Sequence, residues 1–205
     1  IAAVLRQYWG FDAFRPGQRE VVEAILEGRH VLGVMPTGAG KSLCYQLPAL
    51  MLPGVALVVS PLIALMKDQV DQLRSRGVAA AFLNSTQPFD EQQRVLEDAR
   101  TGHLKLLYVA PERFRYEGAL ARLKRLPISL FAVDEAHCIS HWGHDFRPDY
   151  QALGGAFAQL APPRLGAFTA TATSQVRSDI VDSLGMRDPM VTVAGFARDN
   201  LPPVE

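Results

Sequence analysis

The chain has 205 residues, of which 48% are apolar and 20% are charged, and its 21 basic and 21 acidic residues give a formal net charge of +0. This composition is typical of a soluble globular domain and excludes a disordered polar chain. The balanced charge excludes attraction of a polyanion by net charge alone, so binding of such a partner must rest on local features. Two cysteines, Cys44 and Cys138, are too few for a disulfide framework and indicate a reducing compartment.

No apolar run approaches the ~18 residues of a membrane span, so we expect no membrane partner. The chain starts at Ile1 without a charged leader and an apolar segment, which predicts that it was cut from a longer protein. Its length fits one domain over residues 1–205.

Short apolar runs alternate with longer amphipathic stretches along the chain. Several runs are apolar at consecutive positions, as in strands that are buried on both faces of a sheet. The sequence therefore predicts an α/β fold with a doubly wound, mostly parallel sheet. The predicted strands are His30–Met35, Val55–Ser60, Val78–Leu83, Lys105–Ala110, Ile128–Asp134, Arg164–Thr169 and Met190–Ala194.

Capping signals place two of the intervening helices. Ser60 followed by Pro61 is typical of a helix start, and Gly77 is typical of the end of that helix. Thr173 can cap a second helix over Ser174–Leu184.

The segment Met35-Pro-Thr-Gly-Ala-Gly-Lys-Ser42 directly follows a predicted strand and precedes a helix. Its glycines let the backbone N–H groups surround a phosphate, and the helix start adds partial positive charge. The lysine can reach the β- and γ-phosphates, and the serine hydroxyl can bind Mg²⁺. The usual pattern begins with Gly where this chain has Met35, and a plain Gly-rich turn is the alternative. The residues predicted to bind the nucleotide here are Thr37, Gly38, Ala39, Gly40, Lys41 and Ser42.

Asp134-Glu-Ala-His137 stands at the end of another predicted strand, which we expect to neighbour the strand before the phosphate loop. Asp134, together with Ser42, is predicted to hold Mg²⁺. Glu135 can then deprotonate the attacking water, and His137 and Lys41 complete the predicted catalytic set. The alternative is that the carboxylates cap a following helix.

Together these motifs resemble the superfamily 2 helicases with a DEAH-type second motif, and more narrowly the RecQ family of DNA helicases. The resemblance covers nearly the whole chain and implies a RecA-like P-loop NTPase domain. Its most specific part is Ala136-His-Cys-Ile-Ser-His-Trp-Gly-His-Asp-Phe-Arg-Pro-Asp-Tyr150, which resembles the aromatic-rich loop that links DNA contact to ATP hydrolysis in RecQ proteins. The other matching segments are Phe11–Gln18, Val59–Gln69, Tyr108–Arg113 and Thr169–Thr173.

The first of these segments resembles the adenine-reading motif of the family, which implies adenine contacts from Phe11, Arg15 and Gln18. The amide of Gln18 both donates and accepts, which complements N6 and N7 of adenine, and Phe11 offers a ring for stacking. Core packing is the alternative for the phenylalanines of this segment, and we favour it for Phe14.

The remaining motifs imply DNA contact and its coupling to hydrolysis. The loop aromatics can stack on bases and Arg147 can meet a phosphate, whereas a loop that packs its aromatics on the core is the alternative. Thr169 and Thr171 can relay a hydrogen bond from Glu135 or His137, or cap the next helix. The residues assigned to DNA contact or coupling are Ser60, Lys67, Trp142, His144, Phe146, Arg147, Tyr150, Thr169 and Thr171.

A metal site is a further alternative for this loop, because Cys138, His141 and His144 are metal-binding residue types at close spacing beside His137. No second ligand pair accompanies them. We therefore expect no zinc in this chain, and ATP with Mg²⁺ as its cofactors.

The resemblance implies the first half of a two-domain motor, with residues 196–205 starting the passage to a second RecA-like domain of the same protein. It further implies ATP-driven 3′-to-5′ translocation on single-stranded DNA and duplex unwinding in repair and recombination. The expected location is the cytoplasm, with the nucleoid, or the nucleus of a eukaryote. A related RNA helicase or duplex translocase and a nucleotide-binding module without turnover are the alternatives.

Overall fold

The structure is a computed structural model and describes residues 1–194. Its strands are β1 (Val31–Val34), β2 (Val55–Val59), β3 (Ala80–Leu83), β4 (Leu106–Val109), β5 (Ile128–Val133), β6 (Leu165–Thr169) and β7 (Met190–Val193). These strands form one sheet in the order β3-β4-β2-β5-β6-β1-β7, and every pair is parallel. The predicted fold class is thus confirmed, whereas the passage predicted at residues 196–205 lies outside the described residues.

Helices cover both faces of this sheet. They are α1 (Ala2–Trp9), α2 (Gln18–Leu26), α3 (Lys41–Met51), α4 (Ile63–Ser75), α5 (Phe89–Arg100), α6 (Glu117–Leu123), α7 (Leu153–Leu160) and α8 (Ser174–Leu184). Side chains of α2, α3 and α4 pack on one face with Val58, and those of α5 to α8 pack on the other with Leu57. Successive strand residues therefore serve opposite faces, as a doubly wound sheet requires. No helix among residues 1–194 is long and apolar enough to cross a bilayer.

The strand β6 lies between β1 and β5. Val34 of β1 pairs with Thr169 of β6, and Val133 of β5 pairs with Ala167 of β6. The prediction that the two motif-bearing strands are neighbours is therefore wrong, because the chain returns between them after α7. All three strands still end at the same edge of the sheet, so the segments that follow them meet there.

The predicted start of α4 at Ser60 and Pro61 is also wrong, because the helix begins at Ile63. Ser60 continues the buried course of β2 and is only 1% exposed. Leu62 is still extended, with φ of −118°, so helical geometry starts only after the chain has left the edge of the sheet.

Two other capping signals are confirmed. Gly77 follows α4 with a left-handed φ of 79°, which suits a residue without a side chain. The N–H of Val176 donates to Oγ1 of Thr173 at 3.3 Å, so Thr173 caps α8 as predicted.

Candidate functional site

The phosphate loop joins the end of β1 to the start of α3. Gly38 and Gly40 have left-handed φ angles of 83° and 80°, which would strain any residue with a side chain. No side chain caps α3, which begins at Lys41, so the N–H groups of its first turn face the loop. Lys41 and Ser42 are half-buried at this helix start. The sequence therefore folds locally into a turn whose geometry suits an anion.

A cavity of about 380 Å³ opens beside the phosphate loop. Phe11 is 48% exposed there, which agrees with a stacking role, whereas the half-buried Phe14 packs on the cluster of α1, α2 and α3. Trp9 and Leu43 also line the cavity, although no motif marks them, because each resembles an ordinary apolar helix residue. The lining residues are Trp9, Phe11, Ala13, Arg15, Gln18, Gly40 and Leu43.

Gln18 is bonded to the phosphate loop and does not present an open amide to this cavity. Its Nε2 donates to the carbonyl oxygens of Ala39 and Gly40, both at 3.1 Å, and its Oε1 accepts the N–H of Arg15 at 2.8 Å. The guanidinium of Arg15 donates to the carbonyl of Gly38. Oε1 can still accept a bond from N6 of adenine, whereas Nε2 can donate to N7 only if it leaves a loop carbonyl.

Asp134 follows β5 at the same edge of the sheet. Its Oδ1 accepts the N–H of Glu135 at 2.9 Å, and its Oδ2 accepts the hydroxyl of Tyr45 at 3.2 Å. Glu135 adopts a left-handed φ of 50°, an uncommon conformation for a residue with a side chain and one that clusters at functional sites. No side-chain bond caps the short 3₁₀ helix Ala136–Ile139, so the alternative of an acidic helix cap is not what the structure forms.

Glu135, His137 and Thr169 form a continuous line of contacts. Nδ1 of His137 lies 3.3 Å from Oε2 of Glu135 and 2.8 Å from Oγ1 of Thr169. Burial lowers the pKa of His137, so the imidazole is neutral at pH 7. The hydroxyl of Thr169 in turn donates to the carbonyl oxygen of Thr171 at 3.1 Å, so Thr171 takes part through its main chain. This line joins the end of β5 to the end of β6.

The environment of Asp134 disfavours the ionised form of its carboxyl group. Burial, and then the negative charge of Glu135, raise the pKa of Asp134 from 3.8 to about 6, against the opposing effects of the Glu135 N–H, Lys41 and Tyr45. A carboxyl group with a raised pKa stabilises the folded state below its unfolded pKa, and this stability is lost as the pH rises through about 6.

Asp134→Asn should therefore stabilise the magnesium-free chain by about 2 kcal/mol at pH 8, and by less than half as much at pH 4.5. The neutral amide removes the cost of a buried anion, which exists only where the carboxyl is ionised. Denaturant unfolding with a chelator at both pH values measures the difference. Asp71→Asn, which neutralises an exposed carboxylate on α4, is the control. An equal gain at both pH values would mean that the amide acts through packing.

The loop after His137 combines exposed and packed aromatic residues. Trp142 is 76% exposed, the ring of His144 stacks on that of His137 at 4.2 Å, and the ring of Phe146 stacks on that of His141 at 3.8 Å. A cavity of about 390 Å³ brings together His137, Trp142, Gly143, His144, Thr171, Ala172, Thr173 and Val176. The loop is therefore in direct contact with the line from Glu135 to Thr169.

Arg147 is fixed at the base of this loop. Its guanidinium pairs with Asp145 at 3.0 Å and reaches the carbonyl oxygen of Pro61 at 3.4 Å. It thereby connects the loop to the segment that precedes α4. The exposed Lys67 lies on α4 itself. Two residues predicted to contact DNA thus lie on adjoining segments.

Two other residues predicted to contact DNA are buried and need correction. Tyr150 is 1% exposed, and its hydroxyl donates to the carbonyl oxygen of Asp134 at 2.9 Å, so its ring cannot stack on a base. The hydroxyl of Ser60 is buried without a hydrogen-bond partner, so it offers no surface to a DNA strand in this conformation.

The structure groups the possible metal ligands differently from the spacing considered in the sequence. Side-chain atoms of His137, Cys138 and Asp145 lie within 4.8 Å of one another, whereas His141 and His144 are stacked on other rings. Burial raises the pKa of the Cys138 thiol to about 12, and the Arg147 fork occupies Asp145. A neutral thiol and a paired carboxylate are poor metal ligands.

A cavity of about 550 Å³ lies away from all of these motifs. His30, Phe157 and Arg187 are among its lining residues, and none of the predicted site residues is. Because His30 precedes β1, this cavity lies at the amino ends of the strands, whereas parallel α/β sheets bind ligands at the carboxyl ends.

A model of the DEAD/DEAH box helicase family matches residues 15–179. The chain belongs to this family, whose fold and motifs agree with the site described above. It is 48% identical over 198 residues to the ATP-dependent DNA helicase RecQ of Pasteurella multocida, and 47% identical over 202 residues to the probable ATP-dependent DNA helicase RecS of Bacillus subtilis. The resemblance to RecQ proteins is thus confirmed. These alignments cover 97% and 98% of the chain but only 31% and 40% of the two relatives.

Solved structures share the fold at low sequence identity. The helicase Lhr of Mycobacterium smegmatis, bound to single-stranded DNA and AMP-PNP, matches with a TM-score of 0.72 at 20% identity, covering 94% of this chain and 28% of that chain. The Hef helicase domain of Pyrococcus furiosus matches with a TM-score of 0.67 at 19% identity, covering 87% and 38%. Both likenesses show the helicase fold.

Proposed function

We propose that this chain is the ATP- and Mg²⁺-binding first motor domain of a RecQ-type DNA helicase. The complete motor would couple ATP hydrolysis to 3′-to-5′ movement on single-stranded DNA and to duplex unwinding in repair and recombination. One observation carries the proposal: the line from Glu135 through His137 to Thr169 meets the exposed loop of Trp142 through the stacked ring of His144. A hydrolysis site is thereby in contact with a surface suited to stacking on bases.

The residues of the site divide the chemistry among them. The N–H groups of the phosphate loop and the charge of Lys41 bind the phosphates. Ser42 and Asp134 offer a hydroxyl and a carboxylate, the oxygen donors that Mg²⁺ prefers, and the hydroxyl of Tyr45 donates to Asp134. Bound Mg²⁺ neutralises charge on the phosphates. Glu135 accepts the proton of the attacking water, and the neutral His137 orients its carboxylate.

The proposal includes the partners and the ion. Single-stranded and duplex DNA and a second RecA-like domain of the same protein are the proposed partners, which agrees with the names of the relatives as DNA helicases. Magnesium is the proposed functional ion, with no resident zinc in this chain. The cytoplasm with the nucleoid, or a eukaryotic nucleus, is the proposed location.

Trp142→Ala and Arg147→Ala should separate ATP binding from its stimulation by DNA in a two-domain motor that contains this chain. ATP affinity should stay unchanged, because neither residue belongs to the phosphate loop. The rate ratio with and without single-stranded DNA should fall by about tenfold in Trp142→Ala, the scale of one lost stacking contact, and should also fall in Arg147→Ala. Phosphate release is the measurement.

Phe89→Ala is the matched control, because Phe89 is an aromatic residue on α5 with 61% exposure and no part in the loop. Its stimulation ratio should equal that of the unsubstituted motor. An unchanged ratio in both loop variants would mean that the loop is structural and that DNA acts elsewhere.

A further inference from the structure

A network of buried polar side chains, here called the polar network, runs from Asp134 to the surface of α4. The proposed hydrolysis mechanism assigns no role to this network. The hydroxyl of Tyr45 donates to Oδ2 of Asp134 at 3.2 Å. The buried hydroxyls of Tyr45 and Tyr108 are neighbours, and each influences the pKa of the other. Nε2 of Gln46 donates to the hydroxyl of Tyr108 at 2.9 Å and to Oε1 of Gln69 at 2.8 Å. Four separate elements, α3, α4, β4 and the end of β5, are linked in this way.

Burial couples the members of the polar network, so that a movement of one affects its neighbours. Tyr45 and Tyr108 are fully buried, and Gln46 is 3% exposed. A buried polar group that loses its partner finds no water to replace it, so each group must keep its bond when a neighbour moves. We therefore expect a displacement of Gln69 to pass through Gln46 and Tyr108 to the neighbouring hydroxyl of Tyr45.

The two ends of this polar network lie at functionally distinct places. Near one end, the hydroxyl of Tyr45 donates to Asp134 and lies close to Ser42, and these two residues are the proposed magnesium ligands. Ser42 and Tyr45 are three residues apart on α3, so they share one face of that helix. At the other end, Gln69 is two residues after the exposed Lys67, which the RecQ resemblance assigns to DNA contact.

We propose that Tyr45 is a positioning residue for the magnesium ligands. We further propose that the polar network of Tyr45, Tyr108, Gln46 and Gln69 couples the metal site to α4. A strand of DNA that shifts α4 would thereby reorient Asp134 without passing through the loop after His137. The inference rests on the proposed magnesium site at Ser42 and Asp134, and it adds a second route by which DNA can influence that site.

Metal binding without hydrolysis tests the coupling. Mn²⁺, which replaces Mg²⁺ and is observed by electron paramagnetic resonance, is titrated into the chain with a non-hydrolysable ATP analogue. Tyr45→Phe, which removes only the hydroxyl, should weaken Mn²⁺ binding about tenfold, the scale of one hydrogen bond to a charged group. Gln69→Leu should weaken it about two- to tenfold although it lies far from the ion. The double variant should bind Mn²⁺ no more weakly than Tyr45→Phe, because the first substitution already interrupts the polar network.

Ser129→Ala is the matched control, because it removes a buried, unpartnered hydroxyl from β5, the strand that directly precedes Asp134. Its Mn²⁺ affinity should equal that of the unsubstituted chain. Unchanged affinity in Gln69→Leu, or additive losses in the double variant, would overturn the coupling. If Tyr45→Phe fails to fold, Gln69→Leu decides alone, since its side chain is only half-buried. Absence of Mn²⁺ binding by the unsubstituted chain would refute the magnesium site and the coupling together, whereas normal binding with unaffected variants would refute the coupling only.

Discussion

Glu135→Gln should leave ATP binding intact and lower DNA-stimulated hydrolysis by about 10²–10⁴ in a two-domain motor that contains this chain. The amide has nearly the shape of the carboxylate and can still bond to Nδ1 of His137, but it cannot take a proton from water. Single-turnover phosphate release gives the rate, and a fluorescent ATP analogue gives the affinity. Lys41→Ala should show the opposite pattern, with weakened binding, because it removes a positive charge from the phosphates.

Glu117→Gln is the control for this substitution, because it makes the same chemical change at an exposed position on α6. Its hydrolysis rate should match that of the unsubstituted motor. A normal rate in Glu135→Gln would remove Glu135 from the proposed mechanism, and the left-handed backbone of Glu135 would then need another explanation.

The chain by itself should hydrolyse ATP about 10³–10⁵ more slowly than the same chain joined to a second motor domain. The second domain is proposed to supply an arginine that stabilises the charge of the transition state. Unwinding also requires two domains that close on ATP and reopen after hydrolysis, so the chain alone should not separate duplex DNA. Its affinity for single-stranded DNA should be weak and should fall with added salt.

Steady-state hydrolysis with and without the second domain, at matched Mg²⁺ and DNA, measures this difference. Adding the second domain with its arginine replaced by alanine separates loss of the arginine from loss of the interface. Strand separation by the 205-residue chain alone would refute the proposal that it is half of a motor.

Features set by neighbouring residues could be predicted from the sequence. The phosphate loop between β1 and α3, the cap at Thr173 and the alternation of strands and helices all depend on side chains within a few positions of one another. The contact between His137 and Thr169 was also within reach, because both were expected at the ends of strands in one parallel sheet.

Other features, which also depend on contacts between distant segments, could not be predicted. The position of β6 between β1 and β5 follows from the return of the chain after α7, for which no local pattern exists. Tyr150 has the same appearance in the sequence whether its ring faces solvent or its hydroxyl bonds to Asp134. Tyr45 resembles an ordinary buried helix residue, and only the fold brings its hydroxyl to a carboxylate 89 positions away.

The carbonyl oxygens of the phosphate loop compete with a bound base for the amide N–H groups of Gln18. A nucleotide whose base accepts a bond from Nε2 of Gln18 must displace a carbonyl oxygen of Ala39 or Gly40, so the observed Kd equals the intrinsic Kd divided by the fraction of molecules with the amide released. A substitution at Gln18 removes this internal competition and the base contact together, and the two effects on ATP affinity have opposite signs. ATP affinity alone therefore understates the role of Gln18.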